Sequence, residues 1–139
     1  MVNSVIYVIG QCGAGLQEYY SLDTKEKLDC SGLLTCLESI VYDSTFKGTI
    51  KLYACKSGLG GEKGSTSFAL SFAALAKTNW AGAKLVSYTE AIGIVAIRDD
   101  DRKTGKFVIG SDPEAKKDQH RWTPGTDKRA KECQIITTL

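Results

Sequence analysis

Histidine is almost absent: the chain has one, His120, among 139 residues. General acid–base chemistry that leans on imidazole therefore has a single candidate. Five cysteines (Cys12, Cys30, Cys36, Cys55 and Cys133) form an odd set. They show no Cys-x-x-Cys spacing, which argues against both a disulfide framework and a zinc site. No metal and no cofactor are expected. Charge of one sign is also missing, since 18 Lys+Arg against 16 Asp+Glu leave a net +2. That balance gives no footprint for nucleic acid or an anionic membrane. No apolar run reaches the roughly 18–20 residues of a membrane span. The apolar stretch Val5-Ile6-Tyr7-Val8-Ile9 lacks a basic leader and a small-residue cleavage site, so it reads as a strand and not as a secretion signal. Three readings stay open for its location: the cytoplasm, exit from the cell by a signal-less route, or a domain excised from a longer protein.

Hydrophobic residues at 42% and charged residues at 24% describe an ordinary globular protein. One domain over residues 1–139 is expected. Residues 4–9 are apolar on both faces, as in a central strand of a parallel sheet. Leu33, Leu34, Leu37, Ile40 and Val41 recur at helical spacing, with Asp29 or Ser31 as cap. Residues 49–54 alternate as a second strand. Ser65 or Thr66 is placed to cap a second helix, marked by Phe68, Phe72 and Leu75, and residues 84–88 form a third strand. Ile92–Ile97 and Lys106–Ile109 read as a β-hairpin. Residues 16–30 and the region beyond Gly110 are polar and irregular, ending in the short apolar tail Ile135-Ile136. The alternation predicts an α/β fold with a mostly parallel sheet, flanking helices and a C-terminal hairpin.

Sites in such sheets lie beyond the carboxyl ends of the strands. Two loops qualify, Gly10–Gly15 and Cys55–Gly64. Cys55 ends a strand before a glycine-rich loop and a helix N-terminus, where backbone N–H groups can activate a thiol and hold an oxyanion. The same position also suits a small buried residue that closes a strand. Cys12 has a similar setting. Cys36 shares the apolar helical face and reads as core. The Gly58–Thr66 stretch fails as a phosphate loop, because Gly64 separates Lys63 from Ser65. Gly10-x-x-Gly13 is too short for a dinucleotide fingerprint. Asp99-Asp100-Asp101 reads as a solvated turn. His120, in a polar segment, reads as a surface histidine first and a catalytic base second.

One stretch carries a resemblance. Ile50-Lys51-Leu52-Tyr53-Ala54-Cys55-Lys56-Ser57-Gly58, then Ser67-Phe68-Ala69-Leu70-Ser71-Phe72-Ala73 and Lys84-Leu85-Val86-Ser87-Tyr88-Thr89, resemble the caspase-like cysteine peptidases, in particular those of bacterial toxins and secreted effectors. The likeness runs over residues 4–90. It implies a three-layer caspase-like fold with Cys55 in the nucleophile position. In that family a Gly-His-Gly element after the first strand supplies the base. Val8-Ile9-Gly10-Gln11-Cys12-Gly13 stands there in this chain, so Gln11 occupies the histidine position and Cys12 the oxyanion glycine. A glutamine can orient a substrate but cannot take a proton at neutral pH.

The resemblance leads to a peptidase-type cysteine hydrolase, active or degenerate, with Cys55 as nucleophile and His120 as the one candidate imidazole. Gln11, Cys12, Gly13 and Gly58 would line the substrate site. The implied partner is a protein or peptide target and, for a toxin, a cognate immunity protein. The competing expectation is a non-catalytic interaction module, a pseudoenzyme or immunity-like domain.

Overall fold

The computed structural model describes the backbone of residues 4–21, 26–96, 104–108, 117–118, 121–122 and 130–139. In chain order the elements are β1 (Val5–Ile9), β2 (Glu18–Tyr20), β3 (Lys27–Asp29), α1 (Cys30–Ile40), β4 (Thr49–Tyr53), α2 (Phe68–Ala76), β5 (Lys84–Tyr88), β6 (Ile92–Ala96) and β7 (Thr104–Val108). There follow β8 (Lys117–Asp118), β9 (Arg121–Trp122), a short 3-10 helix (Ala130–Cys133) and β10 (Gln134–Thr138). His120 and Asp99-Asp100-Asp101 lie outside the described residues.

The sheet has four strands in the order β1-β4-β5-β10. β1, β4 and β5 run parallel, and β10 closes the far side antiparallel to β5. The protein is thus α/β, with a mixed, mostly parallel sheet and flanking helices. Period-two alternation sorts the strands into two faces. Ile50, Leu52 and Leu85 point to one face, where Leu33 and Leu37 of α1 and Phe68, Phe72 and Ala76 of α2 meet them in a single core. Tyr53, Val86 and Tyr88 point to the other, against Ile92, Ala130 and Cys133. Both helices therefore cover the same face. This is the geometry of two successive right-handed crossovers stepping in one direction. The second helical layer expected of a caspase-like arrangement has no counterpart among the described residues.

Local signals account for the helix ends. Asp29 caps α1, its carboxylate accepting the Gly32 N–H at 2.7 Å. The cap of α2 is Ser67, whose hydroxyl accepts the Leu70 N–H at 3.2 Å, and neither Ser65 nor Thr66 does this. Ser67 is the residue directly before the apolar run, and it is buried.

Three expectations change. Among the described residues β1 is an edge strand of the sheet and not a central one, and Val5, Tyr7 and Ile9 are 49%, 40% and 53% exposed on its outer face, while Ile6 and Val8 pack on the core. The polar stretch after β1 contains the β2–β3 hairpin, in which Glu18 pairs with Asp29 and a Lys27–Glu18 ion pair adds a surface contact. The apolar tail is β10, which covers the edge of β5. The hairpin expected near residue 92 is present as β6 and β7, with Ile92 opposite Val108.

Candidate functional site

β1 and β4 finish side by side. The Gly10 N–H donates to Tyr53 O at 3.4 Å, so the turn after β1 and the loop after β4 leave the sheet together. Those loops are fastened to each other. The Gly15 N–H donates to Leu59 O at 2.8 Å, and the Gln17 side-chain amide donates to Thr66 O at 2.6 Å. Gly15 has φ +69, and a Cβ there would stand 2.2 Å from the Ser65 hydroxyl, so the close approach requires glycine.

Cys12 and Cys55 are both half-buried free thiols, near enough for a charge on Cys55 to raise the pKa of Cys12. Burial is the main cause holding the Cys12 thiol above its ordinary value. A Gly13 backbone hydrogen bond opposes that shift and Cys55 adds to it. Tyr19, buried below the same turn, is raised by burial and then by Cys12 and Cys55, and its hydroxyl donates to Val8 O at 2.7 Å. The Cys55 sulfur lies 3.5 Å from the Ile92 carbonyl oxygen, its hydrogen-bond acceptor.

The strand-to-loop turn at Cys55 is unusual. Lys56 has φ 53, the left-handed region that a non-glycine residue enters at a cost. After Lys51 and Val86 the β4–β5 ladder stops. Its next rung would join the Tyr88 N–H to Leu52 O. Instead the Ser57 hydroxyl sits between them, donating to Leu52 O at 2.9 Å and accepting the Tyr88 N–H at 3.2 Å. A fully buried serine thus replaces one sheet hydrogen bond and lets the carboxyl ends of the two strands part. Sequence reasoning passed over Ser57. A lone serine after a cysteine carries no signal until its burial is known.

The amides that follow Cys55 are engaged inside the protein. Lys56 donates to Glu90 O, Ser57 to Ala54 O, Gly58 to Tyr88 O and Leu59 to Lys56 O, at 2.8–3.3 Å. The N-terminus of α2 is closed by the Ser57 carbonyl, which accepts the Ala69 N–H at 3.0 Å, and by the Ser67 cap. The Ala69 and Leu70 amides of its first turn are therefore engaged within the protein. Gly58 presses on β5, where a Cβ would stand 2.5 Å from the Ser87 hydroxyl, so its place is structural. Gln11 is exposed, and its backbone exchanges two 2.8 Å hydrogen bonds with Tyr20. The Cys12 N–H makes no backbone hydrogen bond among the described residues.

A cleft of about 570 Å³ opens elsewhere, between β1, the β2–β3 hairpin and α1. Val8, Ile9, Tyr19, Leu28, Leu33 and Cys36 line it, and none of Gln11, Cys12, Gly13, Cys55 and Gly58 does. Cys36, expected in the core, is exposed at this cleft. Among the described residues no group of three His, Cys, Asp or Glu side chains is arranged to hold a metal ion. Among the same residues no helix is long and apolar enough to cross a membrane. Comparison with protein-family models, with curated proteins and with solved structures finds no match for this chain.

Proposed function

We propose that the chain is a degenerate caspase-like cysteine-hydrolase domain of the bacterial toxin or effector kind. It keeps a thiol-centred site and uses it to bind a protein or peptide target without cleaving it. One observation carries the reading: β1 and β4 are parallel neighbours that end together, with Cys55 beside the Gln11-Cys12-Gly13 turn. The resemblance between these loops and the peptidase motifs assigns the roles. Cys55 stands for the nucleophile, Gln11 for the base, and Cys12 with Gly13 for the oxyanion wall.

Two features argue for binding over catalysis. Gln11 cannot accept the thiol proton, and general-base help contributes about 10²–10⁴-fold. The backbone donors of residues 56–59 are bonded internally, so they are not available to a tetrahedral oxyanion. An active hydrolase would need an imidazole brought to Cys55, and His120 is the one in the chain.

The test compares two substitutions in a host cell scored for growth arrest. Cys55→Ala keeps the site open and removes the sulfur. Cys55→Trp fills the site. A binding domain retains its effect with alanine and loses it with tryptophan. Loss of the effect with alanine, in a protein that stays folded, would return the reading to an active hydrolase.

A further inference from the structure

Another cleft, of about 400 Å³, lies at the opposite end of the sheet from Cys55. α1 ends before β4 begins and α2 ends before β5 begins, so both helices deliver their C-terminal ends to the amino ends of the strands. The Lys84 N–H donates to Gly48 O at 2.9 Å and holds those strand starts together. Glu38, Val41 and Tyr42 from the end of α1, and Thr78, Asn79 and Trp80 from the turn after α2, line the cleft.

Trp80 is 2% exposed, and its ring packs edge-on to Phe46 at 6.4 Å. Its backbone is fixed on both sides: the N–H donates to Ala76 O and the carbonyl accepts the Ala83 N–H, each at 3.0 Å. The indole N–H, in contrast, finds no acceptor among the described residues. The large majority of buried side-chain polar atoms are paired, so this donor calls for an acceptor from outside the chain. The cleft is the opening beside Trp80 through which one can arrive. Other polar groups wait there. Glu38 Oε1 accepts from Asn79 Nδ2 at 2.7 Å, which leaves Oε2 as an acceptor and the second amide N–H as a donor. The Thr78 hydroxyl donates to Leu75 O or Asn79 Oδ1, at 3.0 and 3.2 Å. Tyr42 is 89% exposed, and its ring and hydroxyl have no partner among the described residues.

These groups sort the possible occupants. An anion would meet the Glu38 carboxylate and no basic side chain in the lining. A cation would meet one carboxylate but also the indole and amide donors. A hydrocarbon would leave every one of these polar groups unpaired. A sugar ring answers them all, because its hydroxyls both donate and accept, and its C–H face can lie flat on an aromatic ring. We propose that this cleft binds a neutral sugar, with Trp80 and Asn79 donating to its hydroxyl oxygens, Glu38 accepting from a hydroxyl, and Tyr42 stacked on its C–H face. The cleft volume is within the range of about 300–1,000 Å³ typical of ligand sites. The inference does not rest on the reading of Cys55.

The probes are glucose, galactose, mannose and N-acetylglucosamine, titrated separately into the full chain while its amide and indole N–H resonances are followed by NMR. At least one sugar should bind saturably and move the Trp80 indole N–H and the Asn79 side-chain amide together. Inorganic phosphate and methylammonium, titrated alike, should leave both signals in place. Glu38→Gln and Tyr42→Ala, both at exposed side chains, should each weaken sugar binding about tenfold. Trp80→Phe keeps a ring and removes the donor, and should weaken binding as much. Should that variant not fold, the two surface variants carry the test. Three results would each overturn the proposal. One is no saturation by any of these sugars up to about 50 mM, which leaves water as the partner of the indole. Another is saturation by phosphate or methylammonium in place of a sugar, which assigns a charged ligand. The last is sugar binding that Glu38→Gln and Tyr42→Ala both leave at full strength.

Discussion

Replacing Ser57 by alanine should cost far more than its size suggests. The residue is fully buried, and its hydroxyl serves both Leu52 O and the Tyr88 N–H. Alanine leaves the Tyr88 N–H without its partner in the interior, while Leu52 O keeps the Ala54 N–H at 2.9 Å. Such an orphaned group costs about 1–3 kcal/mol, and partial closure of β4 onto β5 would recover some of it. A loss of about 2 kcal/mol is expected, which lowers the melting temperature by about 7 °C for a domain of this size. The assay is urea unfolding of both proteins, with exposed Ser44→Ala as a control expected within about 0.5 kcal/mol. If Ser57→Ala also stayed within about 0.5 kcal/mol, the hydroxyl would not be acting as a rung of the sheet. A closed β4–β5 end would also narrow the thiol site, so Ser57→Ala should slow alkylation of Cys55.

Other perturbations follow the same logic. Asp29→Ala removes the cap on the Gly32 N–H, and should destabilise by about 1 kcal/mol in denaturant melts. Phe72→Ala empties a fully buried site between α2 and the sheet, and should cost about 3–5 kcal/mol by the same assay. Stability should fall in alkali. Burial, followed by Asp29 and Cys12, pushes the Cys30 thiol up from 9.0 to about 11, and burial pushes the Tyr88 hydroxyl up to about 12. The folded state therefore holds these protons more tightly than the unfolded chain. For Cys30 the contribution is complete below pH 9.0 and lost as pH rises through about 11, which unfolding curves across that interval would show. Flat stability over that interval would contradict the burial of Cys30.

Much of the sheet was legible because its signals are local. The alternation of residues 49–54, the run at 84–88 and the capping Asp29 each carry their own pattern. What escaped depends on tertiary context. β2 and β3 are three residues each, too short for periodicity, and exist because Tyr19 buries under the turn after β1. β10 reads as a tail until β5 supplies a partner. β1 looked central because it is apolar on both faces, yet composition cannot say which neighbours a strand finds. At the site, the adjacency of Cys12 and Cys55 followed from topology. The engagement of the amides after Cys55 did not, since it depends on how residues 54–58 fold against residues 88–92.

The proposed loss of catalysis at an intact thiol site is tested most directly by timed alkylation with a small haloacetamide near pH 6–7, each cysteine followed by mass spectrometry. At that pH an ordinary thiol is mostly protonated and an activated one is not. Cys55 is expected to label no faster than exposed Cys36, with buried Cys30 and Cys133 slowest. Rapid and selective labelling of Cys55, ahead of Cys36, would contradict it and mark an activated nucleophile.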